Sequence, residues 1–193
     1  MAIEFELKYA ASPELIARIR QDLNAPETQY AMHTTYYDTP SLALSQLHCT
    51  LRRRLENGIS VCTLKTPAGK LGRGEFSLQC ENIEDAIPEL CKLSGIDQLP
   101  ALTASGVLPV CGARFTRIAK TVALEDYTVE IALDQGILYG GNRESDLCEV
   151  EVELLTGSRE GATLYAQTLA ALYGLKTEKR SKFRRALALY KGE

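Results

Sequence analysis

The sequence predicts an α+β fold, with about eight antiparallel strands and with helices confined to the connections and the C-terminal region. Three observations predict it. Charged and apolar residues alternate with period two in separate segments between Ile3 and Leu155. Asn57-Gly58, between two such segments, is the strongest hairpin signal in the chain. Apolar residues at helical spacing occur only in short windows, such as Leu15 to Leu23 and the stretch from Ser158 to Tyr173.

Ile3 to Tyr9 alternates strictly, with Glu4, Glu6 and Lys8 on one face and Ile3, Phe5, Leu7 and Tyr9 on the other. Ser12 and Pro13 then read as the N-cap and first position of a helix whose apolar face is Leu15, Ile16, Ile19 and Leu23, and which Asn24 and Pro26 end. Gln29 to Asp38 is a strand rich in Thr and Tyr, followed at Thr39-Pro40 by a short helical turn through Ser41 to Gln46. Cys49 to Glu56 and Ile59 to Thr66 form the hairpin about Asn57-Gly58. Thr66-Pro67-Ala68-Gly69 then turns the chain into a strand from Leu71 to Cys80.

Between Asn82 and Val107 the alternation disappears. Ile83, Ala86, Ile87, Leu90 and Leu93 have helical spacing, and Pro88, Gly95 and Pro100 divide the stretch into two short helices. Ala113 to Leu133 returns to strands about a turn at Glu125-Asp126, and Asp134-Gln135-Gly136 is expected to turn the chain into a short strand, Ile137 to Tyr139. After a loop at Gly140-Gly141-Asn142, Leu147 to Leu155 alternates Glu149, Glu151 and Glu153 against Val150, Val152 and Leu154. Ser158 caps a helix that Gly174 ends, with Leu164, Leu169 and Leu172 expected to face the core. Thr177 to Tyr190 is mixed helix and strand. No internal repeat or low-complexity tract interrupts the chain, and its length favours a single domain over residues 1–193.

With 45% apolar and 24% charged residues the chain has ordinary globular composition. The alternating start leaves no room for a secretory leader, and no window approaches the run of ~20 apolar residues that a membrane span needs. A cytoplasmic protein without membrane association is therefore expected. Cys49, Cys62, Cys80, Cys91, Cys111 and Cys148 are spread without a C-x-x-C pair and read as reduced, mostly buried thiols. His33 and His48 are the only histidines and read as polar residues rather than ligands. Any metal must then sit on carboxylates, which points to Mg²⁺ or Mn²⁺. The net charge of −3 argues against a nucleic-acid partner. Oligomeric state has no signal in the pattern.

Several strands carry charged faces of one sign. Glu4 and Glu6, Arg52 and Arg54, and Glu149, Glu151 and Glu153 recur two apart; Arg73 and Glu75 share a face; Lys65, Arg117, Glu130 and Asp134 fall on further strands. A sheet with one solvated face also alternates. Solvated faces favour Thr, Ser and Gln, however, and like charges two apart repel unless opposite charge lies between them. Glu4 with Glu6, and Glu149 with Glu151, make a hard oxygen site for a divalent ion. Arg52, Arg54, Lys65 and Arg73 offer forks and point charges to several phosphate groups. A small, metal-bound polyanion satisfies both sets, whereas Arg53, in opposite phase, is expected on the exterior.

The segment Glu4-Phe5-Glu6-Leu7-Lys8 resembles the E-x-E-x-K signature of the CYTH superfamily, the triphosphate tunnel metalloenzymes. Later segments resemble it in the same order: Tyr36 to Pro40, Leu51 to Arg54, Thr63-Leu64-Lys65, Arg73 to Phe76, Arg117, Glu130 to Gly136, Cys148 to Glu153, and Ser181 to Arg185. The similarity covers nearly the whole chain and points to the bacterial inorganic triphosphatase branch, without the helical domain that often follows there. It implies a closed eight-stranded antiparallel β-barrel, a tunnel with its charged faces inward and helices packed outside.

The implied activity is metal-dependent hydrolysis of a triphosphate, foremost tripolyphosphate to pyrophosphate and phosphate. Class IV adenylate cyclase, thiamine triphosphatase and a non-catalytic polyphosphate-binding or nucleotide-binding module are the alternatives. The resemblance implies that Glu4, Glu6, Glu149 and Glu151 hold one or two Mg²⁺ or Mn²⁺ ions, with Glu75 and Glu130 assisting. It implies phosphate binding by Lys8, Arg52, Arg54, Lys65, Arg73, Arg117, Lys182 and Arg185, and places the chemistry on Glu149, Glu151, Lys8 and Arg52. The chain departs from the family pattern at Ser77, where an acidic or amide residue is frequent, at Ala119, where a second basic residue often follows Arg117, and at Lys120, where Trp is common.

Overall fold

A computed structural model describes residues 5–67 and 73–193. The elements run β1 (Glu6–Ala10), α1 (Pro13–Asp22), β2 (Glu27–Asp38), α2 (Ala43–Gln46), β3 (Thr50–Glu56), β4 (Ile59–Pro67), β5 (Arg73–Gln79), α3 (Ile83–Ser94), α4 (Leu99–Leu102), β6 (Leu108–Ala123), β7 (Tyr127–Gly140), β8 (Arg143–Gly157), α5 (Arg159–Tyr173), β9 (Lys176–Thr177) and α6 (Lys182–Lys191). Among the described residues nine strands form one antiparallel sheet in the order β5-β4-β3-β2-β6-β7-β8-β1-β9.

The expected closed eight-stranded barrel is therefore corrected to an open sheet that is not strongly curled. β5 stands at one edge and β9 at the other, and no ladder joins them among the described residues. The outer side of β1 shows why. Tyr9 and Ala10 pair there with Thr177 and Lys176, so β9 holds the edge that closure through β5 would require.

Local chemistry explains the ends of α1 and the β3-β4 turn. Ser12 Oγ accepts from the Leu15 amide at 3.3 Å, and Lys120 Nζ donates to the carbonyls of Leu23 at 2.8 Å and Ala25 at 3.4 Å, satisfying groups beyond the end of α1. Asn57 and Gly58, at φ 50° and 88°, supply the two left-handed residues that the β3-β4 hairpin needs.

Three expectations fail on tertiary context. β7 runs unbroken through Asp134-Gln135-Gly136, because strands pair on both sides: Asp134 lies opposite Arg117 and Glu149, and Gly136 opposite Phe115 and Leu147. Gly136 serves close packing there, since a Cβ would overlap the Arg114 carbonyl oxygen and Phe115 Cα. The two helices expected between Asn82 and Val107 are present as α3 and α4, but α3 continues through Pro88 to its Gly95 cap, held by Asn82 and by Ile83, Ala86, Ile87 and Leu90 in an apolar cluster with Leu51 and Leu64. On α5 the buried stripe is Ala162, Ala166, Leu169 and Tyr173, whereas Leu164 and Leu172 are 65% and 68% exposed.

The helices divide between the sheet faces. α1 and α5 pack on Val129, Ile131, Leu133, Val150 and Val152, and α3 on Leu51 and Leu64. α6 packs through Phe183, Ala186 and Leu187 on Phe115, Leu138 and Leu147, which share the parity of Arg117, Asp134 and Glu149 and hence the charged face. The six cysteines are free, three buried and three partly so. No described helix is long and apolar enough to cross a membrane.

Gly136→Ala is expected to lower the unfolding free energy by about 1–3 kcal/mol through overpacking, read from the urea midpoint. Burial pushes the Cys62 thiol up to about 11 and the Cys111 thiol up to about 12. Both should resist iodoacetamide at about pH 8 in the folded protein and react only in denaturant, as peptide mass mapping would record.

Candidate functional site

A cavity of about 470 Å³ opens on the charged face beside the start of α6. Its wall contains seven basic side chains, Lys8, Arg52, Arg54, Lys65, Arg117, Arg159 and Lys182, and three acidic ones, Glu6, Glu151 and Glu153. Strand periodicity explains the grouping. Arg52 with Arg54, and Glu151 with Glu153, sit two apart on one face, and antiparallel register sets Glu6 opposite Glu153 and Lys8 opposite Glu151.

Behind the wall is a dense ion-pair network. The carboxylates of Asp134, Glu149 and Glu151 are buried and bring oxygens within 4.8 Å of one another. Lys182 Nζ joins all three, at 2.7 Å from Asp134 Oδ2 and 2.9 Å from Glu151 Oε1, with a further bond to Glu149. Arg117 makes a fork to Asp134, both bonds at 2.8 Å, and a third bond to Glu151 at 2.5 Å; Arg185 pairs with Glu149. Three acids thus face three bases in a region that water barely reaches.

Electrostatics separates the two glutamates. Burial pushes the Glu149 carboxyl up to about 7, opposed by Lys182 and assisted by the neighbouring Glu151 charge. Burial acts on Glu151 in the same sense, but Lys182 and Arg117 outweigh it and hold this carboxyl well below the usual range. Burial also disfavours charge on Lys8, yet Glu6 at 2.9 Å leaves its pKa raised. Arg54 is drawn down to about 10 by burial, with Arg52 adding repulsion, while its Nε donates to Thr34 Oγ1 at 2.9 Å.

The donor set of Asp134, Glu149 and Glu151 suits a hard divalent ion. The three carboxylates already converge on one compact cation, the Lys182 ammonium, and a divalent ion would draw on the same oxygens. The wall itself leaves two donors unspent. Among the described residues Arg52 Nε and Thr50 Oγ1 are buried without a hydrogen-bond partner, an arrangement that is destabilising unless something binds there.

The family profile of the CYTH domain matches residues 2–187. The chain belongs to the CYTH family. It is 30% identical over 177 residues to an inorganic triphosphatase of Haemophilus influenzae, covering 88% of this chain and 50% of that protein. It is 34% identical over 112 residues to a thiamine-triphosphatase of Macaca fascicularis, covering 57% of this chain and 47% of that protein. The chain thus spans about half the length of the curated relatives it matches. Two solved structures share the fold. One, proposed as an adenylate cyclase of Bacillus halodurans, has a TM-score of 0.68 at 21% identity over 95% of this chain and 96% of that one. The other, proposed as an adenylyl cyclase of Hippeastrum and described as revealing a dominant triphosphatase activity, has a TM-score of 0.70 at 17% identity over 99% of this chain and 97% of that one.

This CYTH chain brings eight of the expected residues to the cavity wall: Glu6, Lys8, Arg52, Arg54, Lys65, Arg117, Glu151 and Lys182. Glu149 and Arg185 stand behind it in the network, and Glu75 anchors Arg52 at 3.1 Å and Lys65 at 2.7 Å. Glu130 is half-buried near Arg117, and burial raises its pKa. Glu4 and the Arg73 side chain lie outside the described residues; the Arg73 backbone pairs with Pro67. Of the departures, Ser77 bonds Thr63 at 2.9 Å, Ala119 is buried, and Lys120 holds the end of α1. His33 contacts the Tyr139 hydroxyl at 3.2 Å, and Arg53 bonds Ser60 at 3.0 Å, away from the cavity wall.

Sequence reasoning assigned no role to Asp134, Thr50 or Arg159. Asp134 had a signal, its placement beside Arg117 once β7 is read as continuous. Thr50 and Arg159 had none, because only three-dimensional placement puts them at the cavity.

Lys182→Met should lower stability by about 3–5 kcal/mol near neutral pH, since three buried carboxylates lose a shared counter-ion. Without Lys182 the Glu149 carboxyl, already raised by burial, loses the main charge that opposes this shift and rises further above its unfolded value. Stability is then regained as pH falls toward the unfolded carboxylate range, and urea midpoints measured from about pH 7 to pH 5 should converge on the parent's.

Proposed function

We propose that this chain, acting as one domain, is a metal-dependent triphosphatase that hydrolyses tripolyphosphate to pyrophosphate and phosphate. The observation that carries the reading is the pair of unpartnered buried donors, Arg52 Nε and Thr50 Oγ1, within a cavity wall rich in cations. Such donors suit oxygens with several lone pairs and formal charge. The inorganic triphosphatase relative supports the same reaction class.

Arg52, Arg54 and Lys65 bind one part of the phosphate chain, and Lys8, Arg117 and Lys182 another; Arg185 orients Glu149, and Arg73 joins the phosphate-binding set. Asp134, Glu149 and Glu151, with Glu6 and Glu4 near the start of β1, hold Mg²⁺ or Mn²⁺, which when bound neutralises charge on the phosphate oxygens. Glu75 and Glu130 keep the neighbouring cations aimed. Glu151, ionised and on the cavity wall, orients a water molecule, and the hydrogen-bonded Glu149/Glu151 pair takes up its proton, held on Glu149 whose carboxyl burial raises, as the water oxygen bonds the terminal phosphorus. The bridging P–O bond breaks, and Arg52 and Lys8 stabilise the departing pyrophosphate.

An organic triphosphate is the second reading. A further cavity of about 440 Å³ shares Thr50 and Phe183 with the first and provides space for an attached group.

Purified protein with Mg²⁺ or Mn²⁺ should release phosphate from tripolyphosphate faster than from ATP or thiamine triphosphate. Glu6→Gln should lower that turnover by about 100-fold with an unchanged circular dichroism spectrum. Formation of cyclic AMP would favour the cyclase instead, and tight binding without phosphate release would sink the enzymatic reading.

A further inference from the structure

Six of the seven cations on the cavity wall are ion-paired within the chain. Lys8 pairs with Glu6, Arg52 and Lys65 with Glu75, and Arg54 with Glu56, while Arg117 and Lys182 share Asp134 and Glu151. The seventh, Arg159, has no carboxylate in ion-pair reach among the described residues. Its guanidinium lies instead 4.4 Å from the centre of the Phe5 ring. This stack fixes the planar group while leaving its N–H edge open.

The place of Arg159 in α5 sharpens the point. It is the first helical residue, directly after the Ser158 cap, whose Oγ accepts from the Gly161 amide at 3.0 Å. A positive charge in the first turn opposes the helix dipole, so helix stability does not account for an arginine here.

We propose that Arg159 is a specificity-determining residue that holds the phosphate at the β1 end of the cavity and so distinguishes three linked phosphates from two. The inference rests on the polyphosphate reading above. Arg52, Arg54 and Lys65 enter the cavity from β3 and β4, whereas Arg159 lines the same cavity of about 470 Å³ from the start of α5, beside Phe5 and Glu6. A short anion engages one group, and a chain of three phosphates engages both.

Steady-state kinetics on the full chain test this with tripolyphosphate as substrate and pyrophosphate as competing ligand. Arg159→Ala should raise KM for tripolyphosphate about tenfold, with kcat and the inhibition constant of pyrophosphate each within about twofold. Arg159→Lys, which keeps the charge, should recover most of that KM. Arg18→Ala, which removes a charge on α1, should change neither constant. The urea midpoint of Arg159→Ala should move little, because relief of the opposed helix dipole offsets the lost Phe5 stack, whereas a structural role would lower the midpoint without the selective rise in KM.

An unchanged KM in Arg159→Ala, with active parent protein, overturns this inference alone. Equal weakening of pyrophosphate and tripolyphosphate also overturns it, because the charge would then act without regard to chain length. Parent protein that neither hydrolyses tripolyphosphate nor binds it by calorimetry overturns both this inference and the reading beneath it.

Discussion

The ammonium of Lys182, held among Asp134, Glu149 and Glu151, ties the sheet to its C-terminal helix. The three carboxylates come from β7 and β8, and the cation from the first turn of α6. Alone, the acids would repel and lose their hydration; alone, the apolar stripe of α6 would hold the helix on the sheet without fixing where it begins. Together they fix where the helix begins, and Phe183, Ala186 and Leu187 then pack the next turns onto Phe115, Leu138 and Leu147. Polar pairing sets the position, and apolar burial supplies most of the stabilisation.

That arrangement divides the sheet's two faces by task. The face under α1, α3 and α5 is apolar and carries the larger share of the core. The opposite face is charged and only partly covered, by α6, which leaves the cavity beside it. Period-two alternation is what permits this division, since Val150 and Val152 can enter the core only if Glu149 and Glu151 point the other way. A one-residue slip of β8 would bury the glutamates among Ile131 and Leu169, so the charges also guard the register.

The same alternation made much of the molecule legible in the sequence. It told which residues share a face, and the Asn57-Gly58 turn and the Ser12 and Ser158 caps set boundaries that the structure keeps. Sheet closure was not legible, because alternation describes faces and says nothing of edges. The pairing of two residues, Lys176 and Thr177, decides one edge, and so brief a strand leaves no periodic signal. Asp134 was obscured by its neighbours: Asp-Gln-Gly has turn composition, but two long flanking strands outweigh it. Leu164 and Leu172 failed because apolarity alone does not place a residue on the narrow stripe of Ala162, Ala166, Leu169 and Tyr173.

Under the proposed function, the internal pairing of the wall also shapes what binding requires. Arg52 and Lys65 share Glu75, and Lys8 is paired with Glu6, so an incoming phosphate meets cations that already have partners. Binding is then an exchange of carboxylate for phosphate oxygens, with little net creation of ion pairs. Two terms tilt the exchange. Phosphate oxygens can satisfy Arg52 Nε and Thr50 Oγ1, which the carboxylates leave unpartnered. The displaced carboxylates regain a partner only if another cation arrives with the phosphate chain. A cavity built this way therefore discriminates by pairing: a bare polyanion would strand its acids, and a polyanion carrying a divalent ion would not.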